Sequence, residues 1–118
     1  MRRVVITGMG ILSPLGATLE SNKKAVFAGK SGVSKITSFD TTDYVSQIAG
    51  QVVWGEQDGQ FNPDPIISPK EQRHIDRFVL YGIYAGLQAL EDAGFDASTD
   101  EEKNRAGVMF GSGIGGLT

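Results

Sequence analysis

Apolar residues along the chain follow two patterns, short runs rich in β-branched residues and stripes spaced by three and four, with polar or glycine-rich stretches between them. Arg3 to Ile6 is a run of the first kind and predicts a buried strand. Gly8-Met9-Gly10 with Pro14 and Gly16 then predicts a turn. Thr18 is placed to cap a helix over about Leu19 to Ala28, with Gly29 as its left-handed stop. Residues 30–46 are polar and read as loop with room for one short strand. From Gln47 to Val53, Ile48, Gly50 and Val52 alternate with their neighbours and predict a half-buried strand. The stretch from Gly55 to Pro65 reads as an exposed loop by composition.

The best-marked element is a second helix. Ser68-Pro69-Lys70-Glu71 is a capping box with proline at the first helical position, and the pattern runs on to about Ala93, with Gly94 as the stop. Ile75, Val79, Ile83, Leu87 and Leu90 form one apolar face. Gly82, Gly86, Ala89 and Ala93 make a stripe of small residues beside it. Each glycine inside a helix costs about 1 kcal/mol relative to alanine, which is offset if another segment approaches closely, so this helix is expected deep in a layered fold. Asp96 to Glu102 reads as an acidic loop, Ala106 to Phe110 as a third strand, and Gly111 to Thr118 as a glycine-rich turn. The alternation of strands and helices predicts an α/β fold. Three strands and two helices leave one sheet face poorly covered, so the chain is expected to be part of a larger fold.

Composition narrows the chemistry. The 118 residues contain no cysteine and one histidine, which excludes disulfides, thiolate metal sites, a cysteine nucleophile and multi-histidine metal clusters within them. Neither a cofactor nor a metal is expected. A net charge of −3 argues against a nucleic-acid binder. The basic start and its apolar run are interrupted by Thr7, Gly8 and Gly10, so they do not read as a signal peptide. No stretch approaches the ~18 apolar residues of a membrane span, and the expected location is the cytoplasm.

Three motifs remain. Gly111-x-Gly113-x-x-Gly116 matches a dinucleotide fingerprint after a predicted strand, but the following helix and acidic residue that hold the pyrophosphate and ribose are missing. A small dinucleotide-binding domain stays open as one alternative. Lys70, Arg73, His74 and Arg77 stand at i, i+3, i+4 and i+7 of the second predicted helix, on one side of it. Cations in a first turn oppose the helix macrodipole. Such a cluster in an acidic protein is either a solvated face or a docking site for an acidic partner. Gly111-Ser112-Gly113 has the wrong spacing for a nucleophile elbow.

The opening Arg3-Val-Val-Ile-Thr-Gly-Met-Gly-Ile-Leu-Ser-Pro-Leu-Gly16 resembles the first strand and turn of β-ketoacyl-acyl-carrier-protein synthases, the condensing enzymes of fatty-acid synthesis. Ala28-Gly-Lys-Ser-Gly-Val33, Phe39-Asp40 and Ile48-Ala-Gly50 are similar to the same family. Ser68-Pro-Lys-Glu-Gln-Arg73 with Asp76, Phe78 and Tyr81-Gly82 resembles the second helix of the type II elongation synthases. Gly111-Ser-Gly-Ile-Gly-Gly-Leu117 resembles the glycine turn after their third strand. The loop from Trp54 to Pro65 is several residues longer than in many members, at a place where insertions are easily absorbed.

The resemblance implies the N-terminal part of a thiolase-like αβαβα layered fold, a mixed sheet with covering helices. Residues 1–118 would then be an incomplete N-terminal half-domain of a homodimeric enzyme. The implied reaction is a decarboxylative Claisen condensation. An acyl group passes from acyl carrier protein to a cysteine, and the carbanion from malonyl carrier protein attacks the resulting thioester, with two histidines stabilising the oxyanion. None of those groups is in this chain, which is therefore expected to be inactive alone, with acyl and malonyl thioesters handled by the parent. By the same resemblance Ile114 lines the acyl pocket, and Lys70, Arg73 and His74 belong to the basic patch that receives the carrier. His74 stands where a more basic residue is common, so its share would be weaker and pH-dependent. A non-catalytic carrier-binding remnant is the other alternative.

Overall fold

The computed structural model describes residues 1–116. Leu117, the last residue of the glycine-turn motif, and Thr118 lie outside the described residues. The elements run α1 (Leu19–Phe27), β1 (Val33–Lys35), β2 (Ile48–Gly50), α2 (Pro69–Gln72), α3 (Arg77–Asp92) and α4 (Asp100–Arg105). They fall into two compact units: Ile11–Asn62, and Met1–Gly10 together with the chain from Pro63 onward.

In the Ile11–Asn62 unit, Thr18 and Ser21 close a capping box at the start of α1. At its other end Gly29 has φ +64°, with Gly29 N donating to Val26 O and Lys30 N to Ala25 O, both at 3.0 Å. These are the paired bonds of a Schellman stop. Asn22 is buried on the first turn: its Nδ2 donates to Gly16 O and Thr18 O at 2.8 Å, and its Oδ1 accepts from Ser13 Oγ. β1 and β2 pair antiparallel with Val33 opposite Gly50 and Lys35 opposite Ile48. Pro14 packs over both, because a Cβ on Gly32 or Gly50 would come within 2.9 or 3.0 Å of its ring. The predicted half-buried strand over 47–53 is thus shorter. Its facing also differs, since Ile48 is 60% exposed and Ala49 is the better covered residue.

The predicted exposed loop supplies this unit's largest buried side chain. Phe61 is 1% exposed, with its ring edge-on to Trp54 at 4.7 Å between centroids. Phe61 N donates to Val53 O at 2.8 Å, and Gly55 N donates to Phe61 O at 3.1 Å. One aromatic anchor with backbone bonds on both sides pins a segment whose average composition is polar.

In the other unit, the single helix expected over residues 69–93 is two helices. Asp76, with φ −70° and ψ 154°, is extended and serves as N-cap of α3, so the chain leaves the α region between α2 and α3. Beyond the break, α3 ends at Gly94 (φ +58°) in a second Schellman stop, with Gly94 N on Glu91 O and Phe95 N on Leu90 O, both at 3.0 Å. The small-residue stripe receives the close approach expected of it. A Cβ on Gly8 would strike Ala89 O and lie 2.7 Å from Ala93 Cβ, and one on Gly10 would strike Ala85 O. Met9 N donates to Asp92 Oδ2 at 2.9 Å. The ring of Phe110 lies 3.1 Å from where a Cβ on Gly86 would stand.

Three expectations fail here. Residues 3–6 and 106–110 form no strand among the described residues, and Val4 and Met109 are 95% and 97% exposed. A β-branched run becomes a strand only when a neighbour takes its backbone hydrogen bonds, and no ladder reaches either segment. The second helix is not deep either. Of its residues in α3 only Leu80 is buried, and Ile83, Leu90 and Ala93 line an open groove of about 700 Å³ together with residues 106–110. The acidic loop, finally, is a helix. Thr99 accepts from Glu102 N at 3.2 Å while Glu102 Oε2 accepts from Thr99 N at 3.0 Å. Asp100 and Glu101 in the first turn and Arg105 in the last complement the macrodipole.

Candidate functional site

The residues singled out by sequence lie on two segments of one unit, 68–76 and 111–116. Ser68 opens the first. Its hydroxyl accepts from Glu71 N at 3.4 Å and donates to Glu71 Oε2 at 2.6 Å, so one carboxylate ties down the helix start. Gln72 fastens the far side, with Nε2 donating to Ile67 O at 2.7 Å and to Asp64 Oδ1 at 2.8 Å. These bonds leave Lys70, Arg73 and His74 on the outside, and all three are exposed. Among the described residues none of the three has an acidic partner within ion-pair distance.

The break before α3 changes the electrostatics inferred from a continuous helix. Lys70 is the second of the four residues of α2, a single turn, and Arg73 is its C-cap, where a cation is favoured. The cluster is therefore not four residues on one face of a cylinder. Arg77 begins α3, whose first turn contains no acidic residue.

The second segment meets the start of α3. Asp76 does not cap α3 with its side chain; a Cβ on Gly116 would instead stand 2.9 Å from Asp76 Oδ2. Gly116 has φ +72°, a conformation that favours glycine. At Gly115 a Cβ would lie 2.8 Å from the ring of Phe78. Side-chain contacts thus account for one glycine of the dinucleotide-like pattern, Gly116, and for its neighbour Gly115, without a pyrophosphate. Ile114, between Gly113 and this contact, is 79% exposed. Sequence reasoning did not find the Phe78–Gly115 contact, because no periodicity links residues so far apart in the chain.

The model of the β-ketoacyl synthase N-terminal domain matches residues 1–118. The chain belongs to the β-ketoacyl synthase family. Among its relatives, 3-oxoacyl-[acyl-carrier-protein] synthase 2 of Vibrio cholerae is 49% identical over 116 residues, which are 98% of this chain and 26% of that protein. The synthase 2 of Rhizobium meliloti is 44% identical over 118 residues, 99% of this chain and 28% of the relative. A solved structure, the ishigamide ketosynthase/chain length factor, matches with TM-score 0.67 at 33% identity, covering 80% of this chain and 22% of that one. The thiolase-like α/β class expected from sequence therefore stands for this synthase domain, which spans about a quarter of the length of the relatives it matches. No helix among its described residues is long and apolar enough to cross a membrane.

Proposed function

We propose that this domain works as the N-terminal part of a fatty-acid elongation synthase, a homodimer in the cytoplasm that condenses an acyl thioester with malonyl-acyl carrier protein. The observation that carries this reading is the likeness along nearly the whole chain to relatives named 3-oxoacyl-[acyl-carrier-protein] synthase 2. Within that enzyme, residues 1–118 form an incomplete half-domain. They contain no cysteine, so the acylated nucleophile comes from elsewhere in the enzyme.

What the chain contributes is recognition. Lys70, Arg73 and His74 receive the acidic carrier protein, and Ile114 borders the acyl chain. Support comes from three neighbouring cationic or titratable side chains that are exposed and have no ion-pair partner among the described residues, on a segment fastened at Ser68 and Gln72. Rim charges of this kind act mainly on encounter rate and its salt dependence. The decisive experiment is charge reversal. Lys70→Glu with Arg73→Glu is expected to raise the KM for acyl-carrier substrate at least about tenfold at low salt while kcat stays within about twofold. An unchanged KM would remove the docking assignment.

A further inference from the structure

The contact between the start of α3 and the glycine turn has a consequence for substrate choice. Phe78 is the second residue of α3, and its ring lies where a side chain on Gly115 would have to go: Cε1 and Cζ are both 2.8 Å from the Cβ position. Adjacent Gly116, at φ +72°, meets Asp76 Oδ2 at 2.9 Å from its own Cβ position. Two consecutive residues of the turn are thus set against two residues at one helix end. Ile114 immediately precedes them. By contrast, a Cβ on Gly111 or Gly113 would meet nothing within 4 Å. Within the glycine turn itself these contacts lie at the end next to Ile114, while Phe110, just before the turn, rests on Gly86.

We propose that Phe78 is a positioning residue for this turn: its ring seats Gly115, fixes the direction in which Ile114 points, and so sets which acyl chain lengths are accepted. The proposal rests on the assignment of Ile114 to the acyl pocket of a synthase. Gly115 has no left-handed φ that would demand glycine, so what demands glycine there is the ring of Phe78. A larger residue at Gly115 must displace the turn or the ring, whereas a smaller residue at Phe78 removes the seat.

Arg73 and His74 stand on the connection that leads into α3, so the readout has to separate docking from selection. A ratio of kcat/KM for long over short saturated acyl groups, all carried by one carrier protein, does this because docking cancels. In the complete synthase, Gly115→Ala is expected to shift that ratio about tenfold, and adding Phe78→Ala is expected to bring it back within about twofold of the wild type, as contacting residues do in double-mutant cycles. Phe78→Tyr keeps the ring and is expected to keep the wild-type ratio. If Gly115→Ala does not fold, Phe78→Ala and Phe78→Tyr carry the test: a shifted ratio for alanine beside a normal one for tyrosine supports the proposal. Additive shifts in the double variant, or an unchanged ratio in Phe78→Ala, overturn it while leaving the synthase reading intact. A wild-type enzyme inert toward every acyl-carrier substrate overturns the synthase reading and the proposal with it.

Discussion

Single residues in this chain are held by specific obstacles rather than by general hydrophobicity. Phe61 is the clearest case: it is 1% exposed, meets Trp54 edge-on, and has backbone hydrogen bonds on both its N–H and C=O. Full burial of such a side chain is worth about 1.5–3 kcal/mol of transfer free energy, and truncation adds a cavity cost. Phe61→Ala is therefore expected to destabilise the protein by about 3–5 kcal/mol, read as a lower midpoint in chemical denaturation. A loss within ~0.5 kcal/mol, the scale of surface substitutions, would show that the loop is not anchored there. Nothing in the surrounding Gly, Gln, Asn, Asp and Pro distinguishes Phe61 from a chance aromatic in a polar loop, which is why its sequence context reads as solvent-exposed.

At the scale of elements, what was legible depended on whether the signal was local. Both glycine stops, Gly29 and Gly94, the cap at Thr18 and the capping box at Ser68 are carried by neighbouring residues, and the structure forms each of them. The α2–α3 break was not legible, since it depends on Asp76 leaving the helical region without a proline or glycine to signal it. Helix α4 was legible in principle, because Thr99-x-x-Glu102 is a capping box, but the run of acids around it reads as a solvated loop. Its carboxylate carries a pH dependence. The Thr99 N–H, then the Thr99 hydroxyl, hold the Glu102 carboxyl below the usual glutamate range. A lowered folded-state value means the stabilisation is complete above the ordinary glutamate pKa and is lost as pH falls through the lowered value. The cap of α4 is thus expected to fray in that acidic window while neutral and mildly alkaline solution leaves it intact. Amide shifts of residues 99–105 followed against pH check this, and a Thr99 amide insensitive to acid would contradict it. At the site, the capped helix start before Lys70 was legible for the same local reason, whereas the break that takes Arg73 and His74 out of a continuous helix was not.

Across the whole molecule the outstanding feature is apolar surface left open: residues 3–6, residues 106–110 and much of the apolar face of α3. The chain spans about a quarter of the length of the relatives it matches, and in the proposed synthase those surfaces are the ones the rest of the enzyme is expected to cover. Amides of residues 3–6 and 106–110 should then exchange rapidly in the isolated 118-residue chain and slowly in the complete enzyme. The isolated chain should also show no covalent acylation when given acyl-carrier substrate. Equal protection in both states, or acylation of the isolated chain, would count against the partial-domain reading. The sequence by itself determined the caps at Thr18 and Ser68, the stops at Gly29 and Gly94, the α/β class, the family and the absence of a cysteine nucleophile from this chain, because each is written in neighbouring residues or in residue identity. Only the tertiary structure decided that Phe61 is core, that residues 3–6 and 106–110 lack strand partners, and that Phe78 seats Gly115. Those outcomes depend on which distant segment arrives at a surface, and burial and close contact are properties of that arrival.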